Sequence, residues 1–328
     1  MLSFLLRRLG ASILLLWLVL SAVFFIVHAT PGDPSHLIED PRMTSAERAN
    51  LRRIYGLDRP LVEQYVLWLK AAVRGDWGIS MVQNRPVARV LGGAILPTFA
   101  LAGSALAIQL GVGFLFGVAG ALRRDRPLDH ALRVLSLIFF SLPVFWLSLM
   151  AILVFAVHWP LFPAGGMFSI GAESLPPLAR ARDLIAHLIL PASVLGLAFS
   201  GQLARYVRGS LLDALGQEHI RMARARGLSE RRILGVHALR YALSPVIQIL
   251  ALSIPALLSG SLITEVVFSW PGLGRVGFDA AIGRDYPVIL ASTALAAVLV
   301  IVFNLAADLA HAAIDPRVRD AQAARATP

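Results

Sequence analysis

Residues 9–29 read LGASILLLWLVLSAVFFIVHA, an unbroken stretch without Asp, Glu, Lys or Arg that follows directly on Arg7 and Arg8. As a helix it would extend about 30 Å, the thickness of the hydrocarbon core of a bilayer. Val27-His28-Ala29 would suit a signal cleavage site. The stretch is, however, longer than the roughly 7–15 apolar residues of a secretory signal, so we read an uncleaved first span. Outward from it the same pattern recurs. No formal charge occurs from Val90 to Leu122, from Val134 to Ala172 or from Leu184 to Ala204; Tyr241 to Gly274 carries only Glu265, and Tyr286 to Ile314 only Asp308. Spans are therefore expected near Leu9–Ala29, Thr98–Ala121, Val134–Val157, Leu184–Ala204, Leu243–Phe268 and Val288–Ala313. Composition agrees: 57% of the 328 residues are hydrophobic and 15% charged, against about 45–50% and 25% in soluble domains. The expected fold is an all-α polytopic membrane bundle of six transmembrane helices.

The net charge is +10, and every basic residue but Lys70 is Arg. Such a balance would suit nucleic acid, but its placement follows topology instead. With the N-terminus inside, the inner pieces hold 17 basic and 7 acidic residues and the outer pieces 13 and 11, as the positive-inside rule expects with both termini cytoplasmic. The absence of Cys excludes disulfides, thiol catalysis and thiolate metal sites. There is no Gly-x-x-x-x-Gly-Lys-Ser/Thr loop, no His-Glu-x-x-His and no Gly-x-Ser-x-Gly, so any energy from ATP must arrive through another subunit, and no catalytic, metal or cofactor site is expected. Two acids lie at membrane depth. Asp308, with His311 one turn on, suits a metal or proton site or, more commonly, a structural contact. Glu265 suits contact with a cationic solute, a proton relay or, preferred here, anchorage of the turn Phe268-Ser269-Trp270-Pro271-Gly272-Leu273-Gly274.

Residues 30–97 form a long outer segment. Within it Val62, Val66, Leu69 and Val73 share a helical face, while Tyr65 and Trp68 fit either the core of a small cap or the membrane interface. The segment suits a docking surface for an outside partner or a lid over helix ends. In the second span, Gly103, Ala107 and Gly111 form one small-residue row and Gly113 and Gly117 another, which lets helices approach closely. Pro143, Pro191 and Pro255 are expected to bend their helices.

The loop between the fourth and fifth spans, 205–242, is the most informative. From Gln217 to Leu234 it reads QEHIRMARARGLSERRIL, two short helices around a corner. Gly227 suits a left-handed helix stop, and Ser229 suits an N-cap with Glu230 beside the positive helix end. Ile220 and Ala223 make an apolar ridge flanked by Arg221, Arg224 and Arg226. A short helix of this kind fits a groove of a soluble partner or the surface of anionic lipid.

Arg221 to Gly227, followed by His237-Ala238-Leu239, resembles the Glu-Ala-Ala loop of binding-protein-dependent ABC importer permeases, in the variant of dipeptide, oligopeptide and nickel systems. The likeness runs through Tyr55-Gly56-Leu57-Asp58-Arg59-Pro60, Gly75-Asp76-Trp77-Gly78, Leu142-Pro143-Val144-Phe145-Trp146, His187 to Pro191, Phe268 to Gly274 and Asp315 to Arg319. Arg221 stands where many such loops carry Glu, and Arg240 where many carry Pro.

The resemblance implies a type I importer subunit of a bacterial inner membrane. Residues 1–97 would form the first helix and outer segment, 98–315 the transmembrane core and 316–328 a cytoplasmic tail. Its partners would be a second permease, two ATP-binding subunits and an extracytoplasmic solute-binding protein, with peptide, nickel, glutathione or small sugar as solute. Glu218, Ile220, Arg221, Met222, Ala223, Arg224 and Gly227 would form the ATPase-coupling loop. Polarity at membrane depth makes Gln109, Gln202, Gln248 and Glu265 candidate path residues. The alternative is a proton-coupled secondary transporter using Glu265 or Asp308.

Overall fold

The computed structural model describes residues 2–29, 44, 46, 53, 58–240, 253, 255, 257 and 261–314, with side chains described between residues 8 and 306 of these. The described residues form helices joined by turns, with one isolated β-bridge between Ile79 and Pro86. The helices are α1 (Leu2–Ala29), α2 (Leu61–Val73), α3 (Val87–Leu122), α4 (Pro127–Ser141), α5 (Val144–Ile152), α6 (Pro177–Leu215), α7 (Glu218–Ala225), α8 (Leu273–Ile282) and α9 (Tyr286–Ile314). Residues 261–267 are also helical. Among the described residues, four helices are long and apolar enough to cross a membrane, at Arg8–Ala29, Val87–Leu122, Pro177–Leu215 and Tyr286–Ala306. They contain the spans expected at 9–29, 98–121, 184–204 and most of that at 288–313. The span expected over Leu243–Phe268 lies largely outside the described residues.

The span expected over Val134–Val157 is not one helix. The chain breaks between α4 and α5, which meet at 101°. The cause is local: Pro143 cannot donate to the α4 ladder, and its ring drives the preceding residue out of the helical region. Leu142 accordingly sits at φ −78°, ψ 135°. At Pro191 the helix is not interrupted: α6 continues through it. Pro97, which had not been singled out, likewise lies inside α3. The turns around Pro255 are outside the described residues.

Two compact units make up the chain, Met1–Thr98 with Pro271–Ile301 and Phe99–Trp270 with Val302–Pro328. In the first, Val87, Leu91, Ala280, Val288 and Ala291 pack with Trp77, Leu273 and Val276. A buried carboxylate fastens this core. Asp285 accepts hydrogen bonds from the Ser80 hydroxyl and from the N–H groups of Met81 (3.1 Å), Val82 (3.2 Å) and Val288 (3.4 Å). It therefore caps α9 and pins the turn after Trp77 in one step.

In the second unit α6 is the hub. Leu195 and Ala192 pack with Leu101, Ala105, Leu257 and Trp270, and Leu203 and Val207 pack against Leu110, Phe114 and Val118. The glycine rows explain the spacing of α3 and α6. A Cβ on Gly113 would stand 2.8 Å from Leu203, and one on Gly117 would stand 2.5 Å from Val207. This row is therefore a helix contact. The other row is not: Gly103 and Gly111 have open space before them, and both, with Ala107, are exposed.

Candidate coupling loop and path residues

α6 is 39 residues long, about 58 Å of helix, so it outruns the expected span Leu184–Ala204 and carries the chain well past it. The helix stops at Gly216, and α7 begins with Gln217 in extended backbone (φ −70°, ψ 150°). Glu218 occupies the first turn, where the helix dipole favours an acid. The ridge expected from Ile220 and Ala223 forms, and it faces inward. Both are buried with Ala121, Leu211, Ala214, Ile233 and Ala238. Glu218, Arg221, Met222, Arg224 and Arg226 remain exposed. The burial of two apolar side chains seats α7 against its own chain and leaves a cationic face around one exposed methionine.

The corner after α7 follows from Gly227. Its φ of +75° is left-handed; Leu228 N–H bonds Ala223 carbonyl (3.2 Å) and Gly227 N–H bonds Arg224 carbonyl (2.9 Å). This is the Schellman stop, completed by Leu228 packing against the cluster that holds Ala223. Ser229 stands at the N-cap of Glu230–Arg232, but its side chain makes no cap bond. Glu230 turns instead to Arg224, with Nε–Oε1 at 2.7 Å and NH2–Oε2 at 3.2 Å. The guanidinium holds the Glu230 carboxyl below the usual carboxylate range, and Glu230 raises Arg224 in return.

Three of the four candidate path residues lie among the described residues. Gln109 is buried, its Nε2 donating to Ser253 Oγ (2.9 Å) while its Oε1 has no hydrogen-bond partner. Glu265 is fully buried, and its backbone carbonyl accepts from Trp270 N–H (2.8 Å). That bond, with Ser269 at φ +53°, shapes the turn beginning at Phe268. Gln202 is half-buried. Gln248 lies outside the described residues, as do the side chains of Asp308 and His311. Among the described residues no group of three or more His, Asp or Glu side chains could hold a metal ion.

Sequence reading missed two features. Asp129 is fully buried and takes a bidentate pair from Arg208 (2.8 and 2.7 Å) and the Asp125 N–H (3.0 Å), with Arg133 at 3.6 Å. The pairing spans 79 positions, and only the acid in the first turn after Pro127 hinted at it. The second is the loop after α5. Gly166 N–H donates to Phe268 carbonyl (2.8 Å), and a Cβ on Gly165 would stand 2.6 Å from that oxygen. No pattern in the sequence marks that contact.

Apolar helices long enough to cross a membrane, with a short cationic helix seated at the end of the longest of them, are the architecture of a helical membrane protein. Residues 1–92 match the N-terminal family "Binding-prot-dependent transport system membrane comp, N-term" and residues 110–320 the "Binding-protein-dependent transport system inner membrane component" family. The chain belongs to this family of ABC importer permeases. It is 40% identical over 319 residues to the oligopeptide transport system permease protein AppB of Bacillus subtilis (strain 168), covering 97% of this chain and 99% of that one. It is 38% identical over 336 residues to the dipeptide transport system permease protein DppB of Escherichia coli (strain K12), with the same two coverages. Its fold is similar to a chain of the inward-facing MetNI methionine ABC transporter, with TM-score 0.57 and 21% identity, over 70% of this chain and 98% of that one.

Proposed function

We propose that this permease admits peptides or a closely related small solute, and that it does so as one half of a path completed by a second, similar permease. Relatives named for oligopeptide and dipeptide transport match nearly end to end and support the solute class. In this reading the chain has six spans with both termini cytoplasmic, a solute-binding protein delivers from outside, and two ATP-binding subunits act from inside. The chain itself is no enzyme. Gln109, Gln202, Gln248 and Glu265 remain the proposed path groups, with Gln109 and Glu265 reached only after the bundle rearranges, because both are sealed in the present conformation. The exposed row Gly103, Ala107 and Gly111 supplies a surface for close helix contact with the second permease.

The observation that carries the coupling assignment is the division of α7 into a buried seat, Ile220 and Ala223, and an exposed cationic face around Met222. Force applied to that face passes into the cluster beneath it and so into α6. ATP can bias the bundle only through contacts that differ between its states, and this helix offers them. The test is Met222→Glu with Arg221→Glu, which alters exposed atoms alone. The expected result is normal insertion and melting with loss of ATPase co-purification and of uptake. A variant that keeps its ATPase and transports would overturn the assignment. Deleting 218–227 is a poorer test, because it also removes Ile220 and Ala223 from the core. No observation among the described residues favours the proton-coupled alternative.

A further inference from the structure

α2 is tied to α1 well below the end of that helix. Tyr65 OH and Ser21 Oγ are 2.6 Å apart, the Tyr65 ring stacks on Phe25 (5.3 Å, 27°), and Trp68 lies 5.3 Å from Phe24. Ser21 precedes Ala29, the last residue of α1, by eight positions, or about 12 Å of helix. α1 belongs to the spans that cross the bilayer, and Leu14, Leu15, Leu18 and Ile26 on it are at least half exposed. The aromatic face of α2 therefore meets α1 about 12 Å inside the end of a helix long and apolar enough to cross a bilayer.

The rest of α2 fits that depth. At about 100° per residue, Val62, Val66, Leu69 and Val73 fall in one arc with Tyr65 on one flank and Lys70, Glu63 and Arg74 on the other, Lys70 about 40° from Val66. Val62 is 69% and Val73 82% exposed, and no residue of α2 is buried. Tyr65 and Trp68 are thus spent on α1, while Val62, Val66 and Val73 stand exposed beside them.

We propose that α2 is an in-plane membrane helix. It lies in the interface of the leaflet at the Ala29 end of α1, with Val62, Val66 and Val73 in the acyl boundary and Lys70 and Arg74 among the headgroups. The occupant of the valine arc is lipid, not a soluble partner. Amphipathic helices with long cationic side chains on the polar face and aromatic anchors on the other take this position. The assignment does not depend on the solute or on which leaflet is outer, so it stands or falls separately from the proposed function. Its consequence is that the cavity of about 500 Å³ bordered by His28, Gln64, Trp68, Trp77 and Tyr286 sits at the membrane surface, held at fixed depth by α2.

The chain has no Cys, so single-cysteine labelling needs no prior substitutions. Spin labels at Val62→Cys, Val66→Cys, Val73→Cys and Glu63→Cys are placed in the full chain in phosphatidylethanolamine–phosphatidylglycerol vesicles. Collision with molecular oxygen, which enriches in lipid, is compared with collision with a water-soluble nickel chelate. The expected result is a severalfold higher oxygen-to-nickel ratio at the three valine positions than at Glu63. Nickel access at the valine positions equal to that at Glu63 would make the arc a water-facing surface and overturn the proposal. Labels protected from both reagents would mean that protein covers the arc, and would overturn it equally.

Discussion

Asp129 shows how one side chain can hold two helices. Its carboxylate is sealed from solvent and carries two guanidinium N–H bonds from Arg208 on α6. Gly120 leaves room for it, since a Cβ there would stand 3.1 Å from Asp129 Oδ1. Asp129→Asn keeps the volume and removes the charge, so Arg208 loses its counter-ion; breaking a buried pair costs about 3–5 kcal/mol. Arg208 retains some access to water, so the expected loss is about 3 kcal/mol, the lower end of that range. Thermal unfolding in detergent reads it as a lowered Tm, and an unchanged Tm would make the pair ornamental. The Arg224–Glu230 pair behaves differently because both partners are exposed. Glu230 is depressed when folded, so its contribution is present above the ordinary glutamate range and fades as pH falls through the lowered value. Amide exchange at Gly227 and Leu228, corrected for the intrinsic pH dependence, is expected to be slower than in Glu230→Gln when the pH is above that value and to converge with it below.

At the scale of helices, the two glycine rows of α3 make opposite predictions. Gly113→Ala and Gly117→Ala drive a methyl group into Leu203 and Val207, and overpacking of this kind costs about 1–3 kcal/mol. Gly103→Ala and Gly111→Ala meet open space. They should leave the melting of the isolated chain unchanged, while Ala107→Leu, with a larger side chain on the same exposed row, should weaken co-purification with the second permease. Equal melting of all four glycine variants would remove the distinction. Both rows were legible in the sequence as small residues four apart, but spacing alone cannot say which has a helix in front of it. The same limit explains the third span. Its apolar run is continuous across Pro143, and hydropathy sees no break where backbone sterics impose a turn of 101°. Conversely, the stop at Gly227 was readable because left-handed backbone is a property of a single residue. The inward aim of Ile220 and Ala223 was not, because it depends on Leu211 and Ala121, which come from other helices.

For the molecule as a whole, transport needs a source of work. No Gly-x-x-x-x-Gly-Lys-Ser/Thr loop is present, and Glu265 is buried in its own unit. A carboxylate that drives transport by titrating must reach water on each side in turn. One that holds a turn need only keep its neighbours. The backbone bond from Trp270 to Glu265, the full burial of Trp270 and Phe268, and the Gly166 bond to Phe268 make this corner a packed support. In the proposed function, work then enters from outside the chain through α7. Vesicles holding this polypeptide alone, with a proton gradient imposed, are therefore expected to accumulate no peptide. Adding the second permease, both ATP-binding subunits and the solute-binding protein should give uptake that tracks ATP hydrolysis, with Glu265→Gln reducing the rate only in part. Proton-driven uptake by the lone chain, lost on Glu265→Gln, would reverse the argument, since the carboxylate would then be the motor and the coupling helix incidental.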